Sequence, residues 1–314
     1  MRRAPNKITL LPQTLTVPAF AKINLGLRVL GKRPDGYHEL ETIFQTISLH
    51  DTITFAVTEN SEIVLSCDDP SLPAGAENLV YRAAEQMQKR FLPKAGVRIR
   101  LEKRIPAQAG LGGGASDAAV TLLALTYLWD LKYGLNGLLD LASSLGADVP
   151  FFLFGGTARG SGIGANIDQL PDLDEKFVLI IKPNADISTE VAYRSLSLRC
   201  LTSIEAKTIL SSSQPDEILG SFHPEALQND FETVVFELAP EIQRAKFALM
   251  NAGADATLLA GSGSAVFGTF RGKHAQARAI QAIELETGWR VFPCRTIARH
   301  EYRNALGELF RRLD

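Results

Sequence analysis

A cluster of glycines set directly between a strand pattern and a helix pattern constrains this chain more than any other feature. Residues 106–125 read PAQAGLGGGASDAAVTLLAL, with Gly110 and Gly112 to Gly114 inside five positions. Such backbone freedom at the start of a helix suits close approach to an anion, because the helix N-terminal amides and dipole attract phosphate. A loop without a ligand would be a costly use of glycine, the residue that loses most freedom on folding. No Gly-Lys-Ser or Gly-Lys-Thr follows, which excludes a Walker loop. Residues 110–115 do fit the loose G-x-G-x-x-A dinucleotide pattern. The preceding strand argues against that reading. In VRIRLEK, residues 97–103, Arg98, Arg100 and Glu102 alternate with apolar residues, so one face is wet. A dinucleotide-binding strand lies in a parallel sheet covered on both faces and reads as an apolar run. The alternation predicts an antiparallel sheet, and a dinucleotide oxidoreductase is set aside.

Alternation recurs upstream. In AFAKINLGLRV, residues 19–29, Ala21, Ile23, Leu25 and Leu27 alternate with Lys22, Asn24, Gly26 and Arg28. Asp35-Gly36 supplies a turn, and HELETIFQTISL followed by DTITFAV predicts further strands. After the glycine loop a helix is expected over Ala118 to Trp129, capped by Ser116 or Asp117. A second helix over 137–145 ends at Gly146. Residues 151–170 read as strand, loop and return strand. FVLIIKP, from Phe177, is a buried strand that opens the second half. Residues 203–220 read as a surface loop beside a helix, and helices at 229–251 and 274–287 flank strands near 256–270. Strands first and mixed elements later predict an α+β fold of two closely packed domains, 1–172 and 173–314, with residues 1–17 as an extension.

The 314 residues are 46% hydrophobic and 22% charged, with a net charge of -2 and a pI near 6.3. No basic field invites nucleic acid, and no apolar run approaches the roughly 20 residues of a membrane span. The expected partner is a small molecule. Cys67, Cys200 and Cys294 show neither a C-x-x-C pair nor a zinc spacing, and read as reduced thiols. Arg2, Arg3 and Lys7 precede no continuous apolar stretch, and no acidic residue occurs before Asp35. The extension is short for an organelle transit peptide, and a cytoplasmic protein, monomer or weak homodimer, is expected.

Five stretches occur in a specific order: PAFAKINLGLRVLGKRPDGYHEL at 18–40, the glycine loop, LGADVPFF at 145–152, LQNDFE at 227–232 and LLAGSGSAVFG at 258–268. Together they resemble the GHMP small-molecule kinases, named for galactose, homoserine, mevalonate and phosphomevalonate. Within that family they are most similar to the branch whose substrate is a cytidyl-diphospho sugar alcohol. The resemblance implies the two-domain GHMP kinase fold: an N-terminal mixed or antiparallel sheet with helices, and a C-terminal ferredoxin-like α/β sandwich. It also implies ATP as phosphoryl donor and Mg²⁺ as its companion. Rivals are another GHMP kinase of homoserine or mevalonate type, and a catalytically silent nucleotide-binding protein on the same fold. Loss of a catalytic group would favour the latter, and none is lost.

Candidate residues follow. Asp148 lies beside Pro150, Phe151 and Phe152, where partial desolvation strengthens a proton acceptor; by itself it reads equally well as a turn aspartate. Lys22 and Asn24 share one strand face, which alone suggests only a wet edge. The resemblance makes Asp148 the catalytic base and Lys22 its charged neighbour. It makes Asn24 a hydrogen-bonding substrate contact, Tyr37 the ring that stacks on the cytosine, and His38 its hydrogen-bond partner. ISTEVAY at 187–193 is similar to the second nucleobase wall, with Tyr193 as the other ring and Thr189 as a polar contact. For ATP, the resemblance points to Asn78, Lys103 and the loop Gly110, Leu111, Gly112, Gly113, Gly114, Ala115 and Ser116. Asn78 reads equally as a helix N-cap, and Lys103 as an exposed strand-end lysine. With Ala115 in a position that is often serine in the family, Ser116 is the one hydroxyl available for phosphate or magnesium, while Asp117 suits a helix cap or a place near magnesium. Gly261-Ser262-Gly263-Ser264 would close beside the active site.

Overall fold

Two long strands carry the first half of the molecule. β1 (Thr14–Lys32) and β2 (His38–Thr58) run antiparallel around the Asp35-Gly36 turn, in a computed structural model that describes residues 14–93, 95–197, 227–283 and 288–310. HELETIFQTISL and DTITFAV thus form one continuous strand instead of two. The ladder shifts register at three places, between Phe20 and Lys22, Asn24 and Gly26, and Val29 and Gly31. Each stretch of β2 also pairs on its other side, with β4 (Gly96–Glu102) through residues 52–58 and with β5 (Thr157–Gly162) through residues 40–45. β3 (Ile63–Cys67) adds parallel to β4, and β6 (Asn166–Gln169) antiparallel to β5, giving a mixed six-stranded sheet.

Val97, Ile99 and Leu101 of β4 are buried while Arg98 and Arg100 are exposed, as the alternation requires. The covered face packs on α1 (Leu79–Phe91), α2 (Gly113–Leu128) and α3 (Leu135–Leu145). α2 is apolar all round and buried from Ser116 to Leu128, as a central helix must be. It begins earlier than the sequence suggests. Gly112, left-handed at φ 71°, turns the chain, so Ser116 and Asp117 sit inside the first turn and do not cap it. Residues 150–153 likewise differ from the expected strand. They form a 3-10 turn after Pro150, which sets φ for a helical start, and Phe151 and Phe152 both point into the core.

β7 (Phe177–Lys182), β8 (Ala256–Leu259), β9 (Val266–Phe270) and β10 (Arg290–Arg295) form a second, antiparallel sheet in the order β10-β7-β9-β8. With helices between β7 and β8 and between β9 and β10, this is the split βαβ arrangement of ferredoxin-like folds. The helices are α4 (Thr189–Ser197), α5 (Glu232–Leu238), α6 (Pro240–Asn251) and α7 (Lys273–Ile283). The single helix expected over 229–251 is two, because Pro240 has no N–H to donate and moves Ala239 to an extended conformation. The expected loop at 203–220 and the end of the 274–287 helix lie outside the described residues.

β7 is buried on both faces. Leu179 and Ile181 meet the helices, whereas Val178 and Ile180 meet Ala21, Ile23 and Leu25 of β1 in a shared core between the sheets. The connection from β6 to β7 contains the expected boundary at 172. Beyond β10 the chain returns to the first sheet: Ile297 N donates to Thr46 O, and α8 (Arg299–Leu306) buries Tyr302 and Leu306 in the first core. Tyr302 Oη donates to Phe152 O, and its ring fills the space where a Cβ on Gly155 would lie, 2.2 Å from the ring. Replacing Tyr302 by Ala should cost about 3–5 kcal/mol of unfolding free energy, and Tyr302→Phe about 1 kcal/mol. Urea unfolding measures both, and near-equal losses would contradict a packing role for the ring.

Candidate active site

The outer edge of β1, the side away from β2, is where the site is assembled. Lys22 N donates to Leu111 O of the glycine loop, fixing that loop against the strand. The bulge between Asn24 and Gly26 then shifts by one which amides face outward. Farther along, Leu27 N donates to Gln228 O and Val29 N to Asp230 Oδ2, while Asp230 N donates to Leu27 O. An exposed edge is thereby covered by the glycine loop and by residues 228–230.

The Lys22 side chain is buried and points at two groups. Its Nζ donates to Asn24 Oδ1 at 2.8 Å and lies 3.2 Å from Asp148 Oδ2. Asn24 Nδ2 donates to Thr42 Oγ1, which donates to Gly26 O, so the amide is held in one orientation. The lysine also lies over the Phe44 ring, and Phe44 stacks on Phe151. Asp148 stands between the end of α3 and the 3-10 turn, with its side chain 36% exposed to the cavity. Water and ligand can thus reach this carboxylate beside a fixed ammonium.

The glycines have a steric reason. A Cβ on Gly110 would lie 1.9 Å from Ala260 O, and one on Gly112 would press on Phe152 and Lys22. The loop is thus in backbone contact with the 260–263 turn, and Ser264 N and Ala265 N donate to Gln108 O and Ala109 O. Beneath it Lys103 is not an exposed lysine but a buried one. Its Nζ donates to Asp51 Oδ2 and Asp117 Oδ2, while Asp51 Oδ1 accepts from Arg104 N and Ile105 N. Burial pushes the Asp117 carboxyl up to about 7, against the pull of Lys103 and with a further push from Asp51. For Lys103 burial works against the charge, yet the two carboxylates outweigh it and raise the ammonium above its ordinary value. Asp117 Oδ1 and Ser116 Oγ are buried without a hydrogen-bond partner. Asp117 lines the cavity, whereas Ser116 is behind its wall. No cluster of three metal-ligating side chains occurs among the described residues, so a cation here would depend on phosphate and water oxygens as well.

The far end of the same cavity, of about 1080 Å³, is aromatic. His38 and Tyr193 rings lie 5.0 Å apart, and Tyr193 meets Phe231 edge-on at 4.7 Å. Burial and then the Asp148 charge push the Tyr193 phenol well above its usual range, and burial with Lys32 lowers the His38 imidazole. Neutral His38 offers one donor and one acceptor nitrogen. Tyr37 lines the same cavity and is 63% exposed. Thr189 Oγ1 is 3.1 Å from Ser262 Oγ. Asn78 lines the cavity while its Oδ1 caps α1 by accepting from Val80 N. The cavity therefore collects the residues expected from sequence except Ser116. Sequence reasoning missed Asp51, Thr42 and Asn229, each polar and buried. The alternation of β2 could have flagged Thr42, which meets Asn24 through its side chain; Asn229 stands out only as part of LQNDFE, without a role, and no local pattern signals Asp51.

The description GHMP kinases N terminal domain matches residues 78–156, and GHMP kinases C terminal matches 215–287. A protein of Solibacter usitatus named 4-diphosphocytidyl-2-C-methyl-D-erythritol kinase is 43% identical, over 91% of this chain and 89% of its own. One of Pelotomaculum thermopropionicum with the same name is 42% identical over 81% and 88%. A crystal structure of 4-(cytidine 5'-diphospho)-2C-methyl-D-erythritol kinase superposes with a TM-score of 0.74 at 36% identity, covering 90% of this chain and 99% of that one. A homoserine kinase from Cytophaga hutchinsonii, at 19% identity and a TM-score of 0.70 over 96% and 99%, shares the fold.

A pH dependence follows from Asp117. Its folded value is raised, so the folded state holds this proton more tightly than the unfolded chain does. The associated stability is complete below the ordinary carboxylate range and is lost as pH rises to about 7. Asp117→Asn does not titrate, so the difference in Tm should move in its favour between pH 5 and pH 8. Calorimetry at the two pH values tests this, and a constant difference would refute it.

Proposed function

The chain belongs to the GHMP kinase family, and we propose that within it the protein phosphorylates the 2-hydroxyl of 4-diphosphocytidyl-2-C-methyl-D-erythritol at the expense of ATP. The products are ADP and the 2-phosphate, in the non-mevalonate route to isoprenoid precursors. We take it to be a cytoplasmic enzyme working as a monomer or weak homodimer. One observation carries the reading: a single cavity holds the glycine loop, the Lys22–Asp148 pair and, at its other end, an aromatic wall suited to a pyrimidine. Homoserine or mevalonate would have no use for that wall.

In this reading the amides of residues 110–115 surround the triphosphate at the start of α2, while the Ser116 amide is taken by Gly112 O. Lys103 keeps positive charge beneath them; its Nζ lies 3.3 Å from where a Cβ of Gly113 would be. Asn78 contacts the nucleotide from the start of α1. Asp117 lines the cavity and its Oδ1 has no partner, so it is the hard donor that would help to hold Mg²⁺ with phosphate and water oxygens, whereas Ser116 stands behind the wall. When bound, Mg²⁺ screens the phosphate charges. Asp148 takes the proton of the accepting hydroxyl. Lys22, 3.2 Å from Asp148 Oδ2, offsets charge on the transferring phosphoryl group. Phosphoryl transfer passes through a loose transition state, so this positioning matters more than base strength. Asn24 orients Lys22 and presents its remaining N–H to the substrate. Tyr37 and Tyr193 supply π-faces for the cytosine, His38 hydrogen-bonds its edge, and Thr189 adds a polar contact.

The decisive assay is ADP release with Mg²⁺-ATP, comparing the cytidyl-diphospho sugar alcohol with homoserine, mevalonate and galactose. Release with the cytidyl substrate alone is expected, falling by about 10²–10⁴-fold in Asp148→Ala. Release with another alcohol instead would discard the nucleobase assignments and keep the family. Tyr193→Ala and Tyr37→Ala should each raise KM for the cytidyl substrate and leave KM for ATP within about threefold, because neither ring borders the glycine loop. An equal loss for both ligands would contradict the assignment of these rings.

A further inference from the structure

The LQNDFE stretch has no role in the chemistry above, yet its polar atoms are fully engaged at the edge of the site. Asn229 is 3% exposed. Its Nδ2 uses both hydrogens, donating to Leu259 O at 2.9 Å and to Gly261 O at 2.7 Å, and its Oδ1 accepts from Phe231 N at 3.0 Å. No other side-chain type of this length offers two donors and one acceptor without charge. The neighbours fix the residue from both sides. Asp230 is bonded to Leu27 and Val29 of β1, and Glu232 accepts from Leu259 N and Lys246 Nζ.

What Asn229 holds is the 260–263 turn, and that turn touches every part of the site. A Cβ on Gly261 would lie 2.9 Å from Gly110 O and 3.3 Å from Lys22 Nζ. Ser262 meets Thr189 at the start of α4. Phe231, whose amide Asn229 accepts, backs Tyr193. Resting on the kinase reading above, we propose that Asn229 is a positioning residue: by clamping the Gly261 turn to β1 it sets the spacing between the phosphate loop, Lys22 and the nucleobase wall. Two donated bonds, one to the end of β8 at Leu259 O and one to the turn at Gly261 O, leave the turn little freedom to slide. A carboxylate in the same place would face two carbonyl oxygens and push the turn away.

The test uses the full chain with Asn229→Asp, assayed at least about 15 °C below its own Tm so that loss of fold is not read as loss of rate. Expected is a fall in kcat of about 10- to 100-fold with KM for ATP and for the cytidyl substrate each within about threefold, since displacement by about an ångström acts on the transition state. In parallel, hydrogen exchange at the amides of Gly263, Ser264 and Ala265 should quicken. If Asn229→Asp does not fold, Asn229→Ala removes the donors without adding charge and carries the same comparison. Unchanged kcat in the folded variant, or unchanged exchange in the turn, would overturn the proposal. A parent protein with no turnover of the cytidyl substrate would defeat the kinase reading instead, and the exchange arm would then decide the clamp by itself.

Discussion

The β1–β2 ladder is the constraint on which the remainder of the molecule depends. Every other strand of the first sheet is joined to β2 directly or through a neighbour, and β1 contributes side chains to the core shared with the second sheet. Its irregularities are as important as its pairing. A regular strand would send every second amide outward along its whole length. The break near Asn24 changes that phase, so Lys22 serves the glycine loop while Leu27 and Val29 serve residues 228–230. The Lys22 side chain, the glycine loop and the second domain are thereby referenced to one backbone.

The two ammonium groups of the site are used differently, and their surroundings explain it. Lys22 has one carboxylate partner, Asp148, which the cavity reaches. That pair is open to whatever enters the cavity. Lys103 has two, Asp51 and Asp117, both almost wholly buried. With both carboxylates ionised this inner cluster carries an excess negative charge directly under a loop suited to anions, and burial resists that state. A proton on Asp117 makes it neutral. Desolvation thus protects the loop from an unfavourable field without removing the carboxyl group.

What could be read from the sequence was what is local. The wet face of β4, the apolar run of β7 and the glycine loop before α2 each announce themselves by period or composition within a few residues. Lys22 and Asn24 share a face for the same reason. Asp148 and the nucleobase wall were legible only through resemblance, since a turn aspartate and a surface tyrosine are common. The break at Pro240 was present in the sequence and masked by apolar spacing on both sides of it. Asp51, Asn229 and Tyr302 carry no such mark. Their partners lie far along the chain, Lys103 for Asp51, Gly261 for Asn229 and Phe152 for Tyr302, and no periodicity encodes contacts of that separation.

The last of these contacts bears on how the protein is made. Phe152 belongs to the turn that carries Asp148, and the tyrosine that secures it is 150 positions later. During synthesis the first sheet and its three helices can assemble once residue 169 has emerged, but the turn beside the base stays unsecured. It is fixed only after the whole second sheet has been translated and α8 has folded back. The interval is long on the scale of ribosomal elongation, at about 5–20 residues per second. The tie between Tyr302 and the turn that carries Asp148 is therefore among the last contacts that the nascent chain can make.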